Sequence, residues 1–175
     1  MPRGATVVDV GCGTGRALPA MGDAVGDGGI VIGIDLTPEM LTVASLQSTS
    51  EFQLLLADAR RLPLADGSVD VVFAAGLVQH LPDPRAGLAE LARVTRHGGR
   101  LIIFHPSGRA AIAARHGRTL RDDEPLAPNQ LRQLLDGSGW SLVRYDDPPH
   151  RFYALAQRLG VATQSPVAER PARAG

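Results

Sequence analysis

The sequence predicts an α/β protein with a parallel sheet and helices on both of its faces. Apolar runs of strand length alternate with helix-length segments from Thr6 to Phe104, and glycines close the first run. The 175 residues are enough for one domain with a sizeable core. In such sheets ligands bind beyond the carboxyl ends of the strands, so the residues that follow each strand are the first candidates for a site.

Five strands and three helices are predicted in the first two thirds of the chain. The helix that starts after Thr37 has a capping residue there and a proline at its first position. The third helix has one apolar face, and the run His97-Gly98-Gly99 is expected to end it. The predicted strands are 6–10, 29–35, 52–57, 69–74 and 100–104, and the predicted helices are 16–25, 38–46 and 84–96.

The last third is less regular. Residues 106–126 are rich in arginine, with a short helix expected at 110–115. A helix at 128–136 and two strands at 140–145 and 151–156 follow, with a turn between the strands. We expect residues 1–159 to form one domain and residues 160–175, with their Pro, Ala, Ser and Arg content, to be a flexible tail.

The composition excludes several classes of function. Lys+Arg and Asp+Glu are both 18, so the formal charge is zero and no general binding of nucleic acid or of an anionic membrane is expected. No run approaches the roughly 20 apolar residues that span a bilayer. The single cysteine, Cys12, excludes an internal disulfide and a cysteine-cluster metal site, and we expect no metal. With no signal peptide at the start, the expected location is cytoplasmic.

A glycine-rich loop, Gly11-Cys12-Gly13-Thr14-Gly15, follows the first strand. Glycines let a ligand approach the backbone, and the helix that follows favours a carboxylate or phosphate at its start. A dinucleotide-binding fingerprint needs glycine where this chain has Arg16, which disfavours a nicotinamide-dependent oxidoreductase. The alternative is a tight strand-to-helix turn without a ligand.

Three successive strands end in or next to an aspartate: Asp9, Asp35 and Asp58. A carboxylate at the position of Asp35 can accept both hydroxyls of a ribose, although it can also cap the next helix. Three carboxylates at one sheet edge repel each other unless a ligand or backbone donors engage them. No basic cluster lies beside them in the sequence, so the pattern predicts a ligand.

These motifs resemble those of the class I S-adenosylmethionine-dependent methyltransferases, most of all the small type 11 domains. The resemblance covers residues 6–104 well and extends loosely to 156. It implies a Rossmann-like, doubly wound, seven-stranded sheet, mostly parallel with an antiparallel C-terminal hairpin. It also implies S-adenosylmethionine as cofactor and S-adenosylhomocysteine as product. Family members carry helices before the first motif that cover the site. We therefore expect either a natural chain that starts upstream or an open site that a second copy or another partner covers.

The resemblance assigns roles to residues at both ends of the cofactor. At the methionine end, Asp9 would hold the loop and, through water, the ammonium group. The loop and the segment after the fourth strand would pack against the methionine part: Gly11, Cys12, Gly13, Gly15, Ala75, Gly76 and Leu77. At the adenosine end, Asp35 would bind the ribose and Asp58 the adenine amino group. The remaining adenine contacts would be Leu36, Met40 and the backbone of Ala59.

Methyl transfer from a sulfonium is an in-line displacement, which needs alignment and, for a protonated acceptor, a base. His80, after the fourth strand, and His105, at the end of the fifth, are the candidate bases. The alternatives are that His80 packs against the next helix and that His105 is a loop histidine bound to backbone.

The acceptor is expected to be a small molecule held by loops after the fourth and fifth strands. Arg109 and Arg115 in the basic stretch are the candidate contacts, which would suit an acidic or phosphorylated acceptor. Alternatively, this stretch is a solvated helix paired with the acidic run 122–124. A different function also remains open, in which the protein binds S-adenosylmethionine or S-adenosylhomocysteine without methyl transfer.

Overall fold

The computed structural model describes residues 1–46 and 52–160, so the predicted tail at 161–175 lies outside the described residues. Seven strands and five helices occur within these ranges. The strands are β1 (Thr6–Val10), β2 (Ile30–Asp35), β3 (Gln53–Leu56), β4 (Val69–Ala75), β5 (Thr95–His105), β6 (Trp140–Asp146) and β7 (Phe152–Arg158). The helices are α1 (Leu18–Val25), α2 (Pro38–Leu46), α3 (Pro84–Val94), α4 (Arg109–Arg115) and α5 (Pro128–Asp136).

The strands form one sheet in the order β3-β2-β1-β4-β5-β7-β6. β1 to β5 pair in parallel, and β7 runs antiparallel to both of its neighbours. The predicted fold, a mostly parallel seven-stranded sheet with an antiparallel C-terminal hairpin, is therefore confirmed. The strand order reverses between β1 and β4, which is where a ligand crevice is expected in an open α/β sheet.

The sheet is buried on both faces, which explains the continuous apolar runs of its central strands. On one face, Val7 packs with Leu18 and the other buried residues of α1. On the other face, Val8 packs with Leu88 from α3 and Leu131 from α5. Trp140 at the start of β6 is fully buried, and its Nε1 donates to the Leu88 carbonyl at 2.9 Å. These contacts hold both helix layers against the strands.

The expected role of residues 97–99 is wrong. Helix α3 ends at Val94, and β5 begins at the next residue, so the glycines lie in a bulge within the strand. Val69 pairs with Thr95 and Val71 with Arg100, which leaves extra residues on β5 between these pairs. A Cβ at Gly99 would lie 2.9 Å from the Asp70 carbonyl oxygen, so only glycine fits this close approach to β4.

The C-terminal third agrees with the expectations. Helix α4 lies where the short helix was predicted, and residues 147–151 form the turn between β6 and β7. No helix in residues 1–46 or 52–160 combines the length and the apolar character needed to cross a bilayer.

Candidate active site

A crevice of about 350 Å³ lies at the carboxyl ends of β1, β2 and β4. It brings together residues that follow four different strands, including most of those predicted to bind the cofactor. Its lining residues are Gly11, Asp35, Leu36, Asp58, Ala59, Arg60, Ala75, Gly76, Leu77, His80, Leu81 and Pro82. The topology therefore places the predicted ribose and adenine carboxylates beside the glycine loop, as the sequence pattern required.

The glycine loop is tied to β2 by its backbone. The amides of Gly11 and Cys12 both donate to the Ile34 carbonyl, at 2.8 and 3.0 Å. Gly11, Gly13 and Gly15 have φ values of 75°, 54° and 77°, a region that side chains disfavour. A Cβ at Gly15 would lie 3.0 Å from the Cβ of Ala44, whereas a Cβ at Gly13 would meet nothing within 4 Å. Gly15 thus permits packing against α2, and Gly13 presents open backbone to a ligand.

Asp35 accepts hydrogen bonds from the glycine loop and from the turn that precedes α2. Its Oδ2 accepts from the Gly13 amide at 2.8 Å, and its Oδ1 accepts from the Thr37 amide at 2.9 Å. Thr37 lies before α2, so the second bond closes the turn between β2 and α2 and does not cap the helix, while the side chain also lines the crevice. Backbone donors engage this carboxylate and hold it at the crevice wall.

Asp9 lies beneath the loop and is only 2% exposed. Its Oδ1 has no hydrogen-bond partner among residues 1–46 and 52–160. Burial, and secondly the charge of Asp35, raise the pKa of Asp9 to about 7. Burial also raises the pKa of the Cys12 thiol to about 12, helped by Asp9 and Asp35. Cys12 is therefore a neutral packing residue at physiological pH and no nucleophile.

The statement that no basic cluster lies beside the carboxylates in the sequence is wrong for Asp58, which Arg60 and Arg61 follow. The Arg60 guanidinium lies 2.6 Å from its Oδ2, and the Arg60 amide donates to its Oδ1 at 2.8 Å. The side-chain hydrogen bond from Arg60 is the main reason why the pKa of Asp58 falls to about 2. Sequence reasoning missed Arg60, although an aspartate two residues before an arginine in a turn was the available signal.

Apolar side chains stand uncovered beside the crevice. Leu36, in its lining, is 66% exposed, and Leu56 at the end of β3 is 58% exposed. Met40 on α2 is 42% exposed and is not part of the lining. A flat ring such as adenine would find an apolar wall here, with Asp58 at its edge.

The two candidate bases differ in their surroundings. His80 ends a 3₁₀ turn, Val78–His80; its side chain is exposed, and it lines the crevice. His105 is half-buried at the end of β5, and its Nδ1 accepts from the Ser107 amide at 3.0 Å. His105 is thus bound to backbone, as its alternative interpretation stated, and it lies outside the crevice lining.

Comparison with known proteins identifies the family. A family profile described as a methyltransferase domain matches residues 8–103, more than half of the chain. The chain belongs to this methyltransferase family. The predicted resemblance is confirmed, and with it S-adenosylmethionine as the cofactor that the family implies.

Relatives and solved structures of known class support this assignment. A phosphatidylethanolamine N-methyltransferase from Cereibacter sphaeroides is 37% identical and covers 94% of this chain and 75% of the relative. A demethylmenaquinone methyltransferase from Bacillus licheniformis is 36% identical over 61% of this chain and 47% of its own. A crystal structure of an S-adenosylmethionine-dependent methyltransferase from Aquifex aeolicus aligns with a TM-score of 0.73 and 27% identity. The alignment covers 90% of this chain and 84% of the Aquifex chain. The chain spans about half the length of several curated relatives.

The crevice of this methyltransferase domain fits the cofactor. Asp9 offers a buried, unpartnered carboxylate oxygen beneath the loop, within the described part of the chain. Asp35 and Asp58 both line the crevice, whereas Asp9 and Gly13 lie outside its lining, with open space beside the backbone of Gly13. These features match a ligand with a cationic amine at one end and a nucleoside at the other. The residue roles predicted above stay predictions, with geometry that supports them.

The two arginines predicted to contact the acceptor, Arg109 and Arg115, have different surroundings in the structure. Arg109 is 5% exposed, and its Nη2 donates to the Arg121 carbonyl at 2.7 Å. Arg115 is exposed and donates to the Ser107 hydroxyl at 3.2 Å. Arg118 pairs with Glu124, so the acidic run neutralises part of the basic stretch, as the second interpretation stated. Among residues 1–46 and 52–160, no group of three or more His, Cys, Asp or Glu side chains is placed to hold a metal.

Proposed function

We propose that this domain binds S-adenosylmethionine in the crevice and transfers its methyl group to a small-molecule acceptor. The observation that carries the proposal is the convergence of Gly11, at the start of the glycine loop, with Asp35 and Asp58 on one crevice. When bound, the cofactor supplies a methyl group already activated by the positive sulfonium. The chain therefore has to align the two reactants and, for a protonated acceptor, to remove one proton.

At the adenosine end, the chain presents two carboxylates, Asp35 and Asp58, that hydrogen bonds already orient. Asp35 keeps the Gly13 amide as a partner and has lone pairs left for ribose hydroxyls. Arg60 holds Asp58 in its ionised form, in which it accepts a hydrogen bond from an amino group. Leu36 supplies apolar surface beside them.

At the methionine end, the open backbone at Gly13 receives the amino-acid part, and the buried carboxylate of Asp9 acts on the ammonium group through water. A cationic ammonium near Asp9 would favour its ionised form and offset the effect of burial. Asp9 thus supplies the negative charge that this end of the ligand requires.

His80 is the base that we propose for acceptors that lose a proton. Its side chain is exposed at the end of the 3₁₀ turn Val78–His80, and it lines the same crevice as Asp35 and Asp58. His105 has its Nδ1 occupied by the Ser107 amide and is the second candidate. Neither residue has to act if the acceptor is already deprotonated.

The class of acceptor, the covering partner and the cellular location are also part of the proposal. Relatives named for demethylmenaquinone and phosphatidylethanolamine support an acceptor that is not a polymer. The exposed Leu36 and Leu56 support a covering partner or second copy beside the crevice. The zero formal charge supports the absence of general binding to nucleic acid or to an anionic membrane, and a cytoplasmic location is part of the proposal.

The test is formation of S-adenosylhomocysteine from S-adenosylmethionine, measured by mass spectrometry with a panel of small acceptors. We expect product that depends on one acceptor class. Saturable binding of the cofactor with no product from any acceptor would favour the alternative, a cofactor-binding protein without methyl transfer. Absence of binding would contradict both.

A further inference from the structure

Arg60 engages both oxygens of the Asp58 side chain. Its Nη2 donates to Oδ2 of Asp58 at 2.6 Å, and its Nε lies 3.1 Å from Oδ1 and 3.2 Å from Oδ2. The backbone amide of Arg60 donates to Oδ1 at 2.8 Å. Three N–H groups of one residue therefore fix the orientation of this carboxylate.

The contact is built into the turn that follows β3, and it lies at the wall of the crevice. The Arg61 amide donates to the Asp58 carbonyl at 2.9 Å, which closes the turn that holds the two side chains together. Asp58, Ala59 and Arg60 all line the crevice. The side chains of Asp58 and Arg60 are 32% and 45% exposed, so a molecule in the crevice can reach both of them.

The Asp58 carboxylate keeps room for one more donor. An ionised carboxylate accepts about four hydrogen bonds, and Arg60 supplies three N–H groups. Within residues 1–46 and 52–160, no other group donates to the Asp58 side chain. One acceptor position is therefore left for a donor that belongs to a ligand.

Arg60 also makes Asp58 an acceptor and not a donor. Its side-chain hydrogen bond, followed by that of its amide, lowers the pKa of Asp58 to about 2, so at physiological pH the carboxylate has no proton to donate. An amino group at this place would donate to Asp58, whereas a carbonyl oxygen would face a negative oxygen with no proton between them. The pair can thus distinguish a purine with an amino group from one with an oxo group.

We propose that Arg60 is a positioning residue that orients Asp58 and thereby makes the crevice specific for an amino purine over an oxo purine. This inference rests on the proposed function, in which Asp58 accepts from the adenine amino group. Arg60 acts through Asp58 and contacts no reacting atom. Ion pairs between exposed side chains add little to the stability of a fold, so recognition of the base is the role that this pair fits.

The test compares two ligands by calorimetric titration of the full chain. They are S-adenosylhomocysteine and S-inosylhomocysteine, which has an oxo group where adenine has its amino group. Both have the same ribose and homocysteine, so the ratio of their Kd values reports the base contact alone. We expect the wild type to bind S-adenosylhomocysteine about 100-fold more tightly. Arg60→Ala should reduce this preference about tenfold, mainly because S-adenosylhomocysteine binds more weakly.

Three further variants identify the cause. Arg61→Ala removes the neighbouring exposed arginine, which lies outside the crevice lining, and should keep the wild-type preference. Arg60→Lys keeps the charge without the paired Nε and Nη2 donors, so it should restore only part of the preference. Asp58→Asn, whose amide can donate to an oxo group, should lose the preference. Adding Arg60→Ala to Asp58→Asn should then change the ratio no further.

The outcomes separate this inference from the proposed function. An unchanged preference in Arg60→Ala, or an equal loss of affinity for both ligands, would overturn the inference, since Arg60 would then have no role in base recognition. Equal binding of the two ligands by the wild type would overturn it too. In each of these cases, saturable binding of S-adenosylhomocysteine leaves the proposed function intact. No saturable binding of S-adenosylhomocysteine would contradict the proposed function, and the inference with it.

Discussion

Two aspartates predicted to lie at the same edge of the sheet have pKa values shifted in opposite directions. Asp9 is buried without a cation, which raises its pKa to about 7, while Asp58 is held by Arg60, which lowers its pKa to about 2. The sequence predicted that both lie at one edge of the sheet. It did not reveal this difference, because burial and the reach of Arg60 depend on how the turns fold.

The raised pKa of Asp9 predicts how stability depends on pH. Between about pH 4 and pH 7 the folded state binds this proton more tightly than the unfolded state, so the free energy of unfolding falls as pH rises, by up to about 4 kcal/mol. Asp9→Asn should remove this fall. Urea unfolding at several pH values measures it, with the exposed Asp23→Asn as control. Parallel curves for the wild type and Asp9→Asn would contradict the assignment.

The position of His80 predicts a selective effect on catalysis. If His80 removes the acceptor proton, His80→Ala should lower kcat about 100-fold or more, in the range typical of general bases. The Kd for S-adenosylmethionine should stay within about twofold, since no cofactor contact is assigned to the imidazole. His97→Ala is the control, because the His97 ring contacts the Leu159 carbonyl and does not line the crevice. Equal turnover in the wild type and His80→Ala would remove His80 from the mechanism.

Secondary-structure elements were largely predictable because apolar periodicity and capping residues are local signals. The β5 bulge was not, because glycines that end a helix and glycines that let a strand approach its neighbour give the same local pattern. Only the pairing of Val69 with Thr95 and of Val71 with Arg100 decides between them. The turn at Pro148 and Pro149 was predictable, but its contact with Gly108, whose amide donates to the Pro149 carbonyl at 3.0 Å, was not.

The glycine loop predicts a contrast between two of its positions. Gly15→Ala adds a Cβ 3.0 Å from that of Ala44 in a left-handed conformation, so it should lower the free energy of unfolding by about 2 kcal/mol or more. Gly13→Ala carries the conformational strain alone, about 1 kcal/mol, but obstructs the ligand side of the loop. Urea unfolding and calorimetry separate the two effects. The interpretation fails if Gly13→Ala loses more stability than Gly15→Ala while it binds cofactor normally.

At the scale of the whole molecule, the strand order determines where chemistry can occur. The reversal between β1 and β4 opens the crevice, and the residues after successive strands fill its walls. Because this rule depends on strand ends, the sequence predicted most of the crevice lining. A cavity of about 270 Å³ beside the 3₁₀ turn was not predictable, since it joins Gln79, α4 and the segment around Pro125, which are separated along the chain and form no motif.

The central claim is that the loop, Asp35 and Asp58 form one binding site for an adenosyl amino acid. Calorimetric titration of the full chain with S-adenosylhomocysteine, with NAD as the comparison ligand, tests it most directly. The account predicts one saturable site for S-adenosylhomocysteine, weakened about tenfold or more in Asp35→Ala, and no saturable binding of NAD. No saturable heat with S-adenosylhomocysteine, or equal binding of NAD, would contradict it.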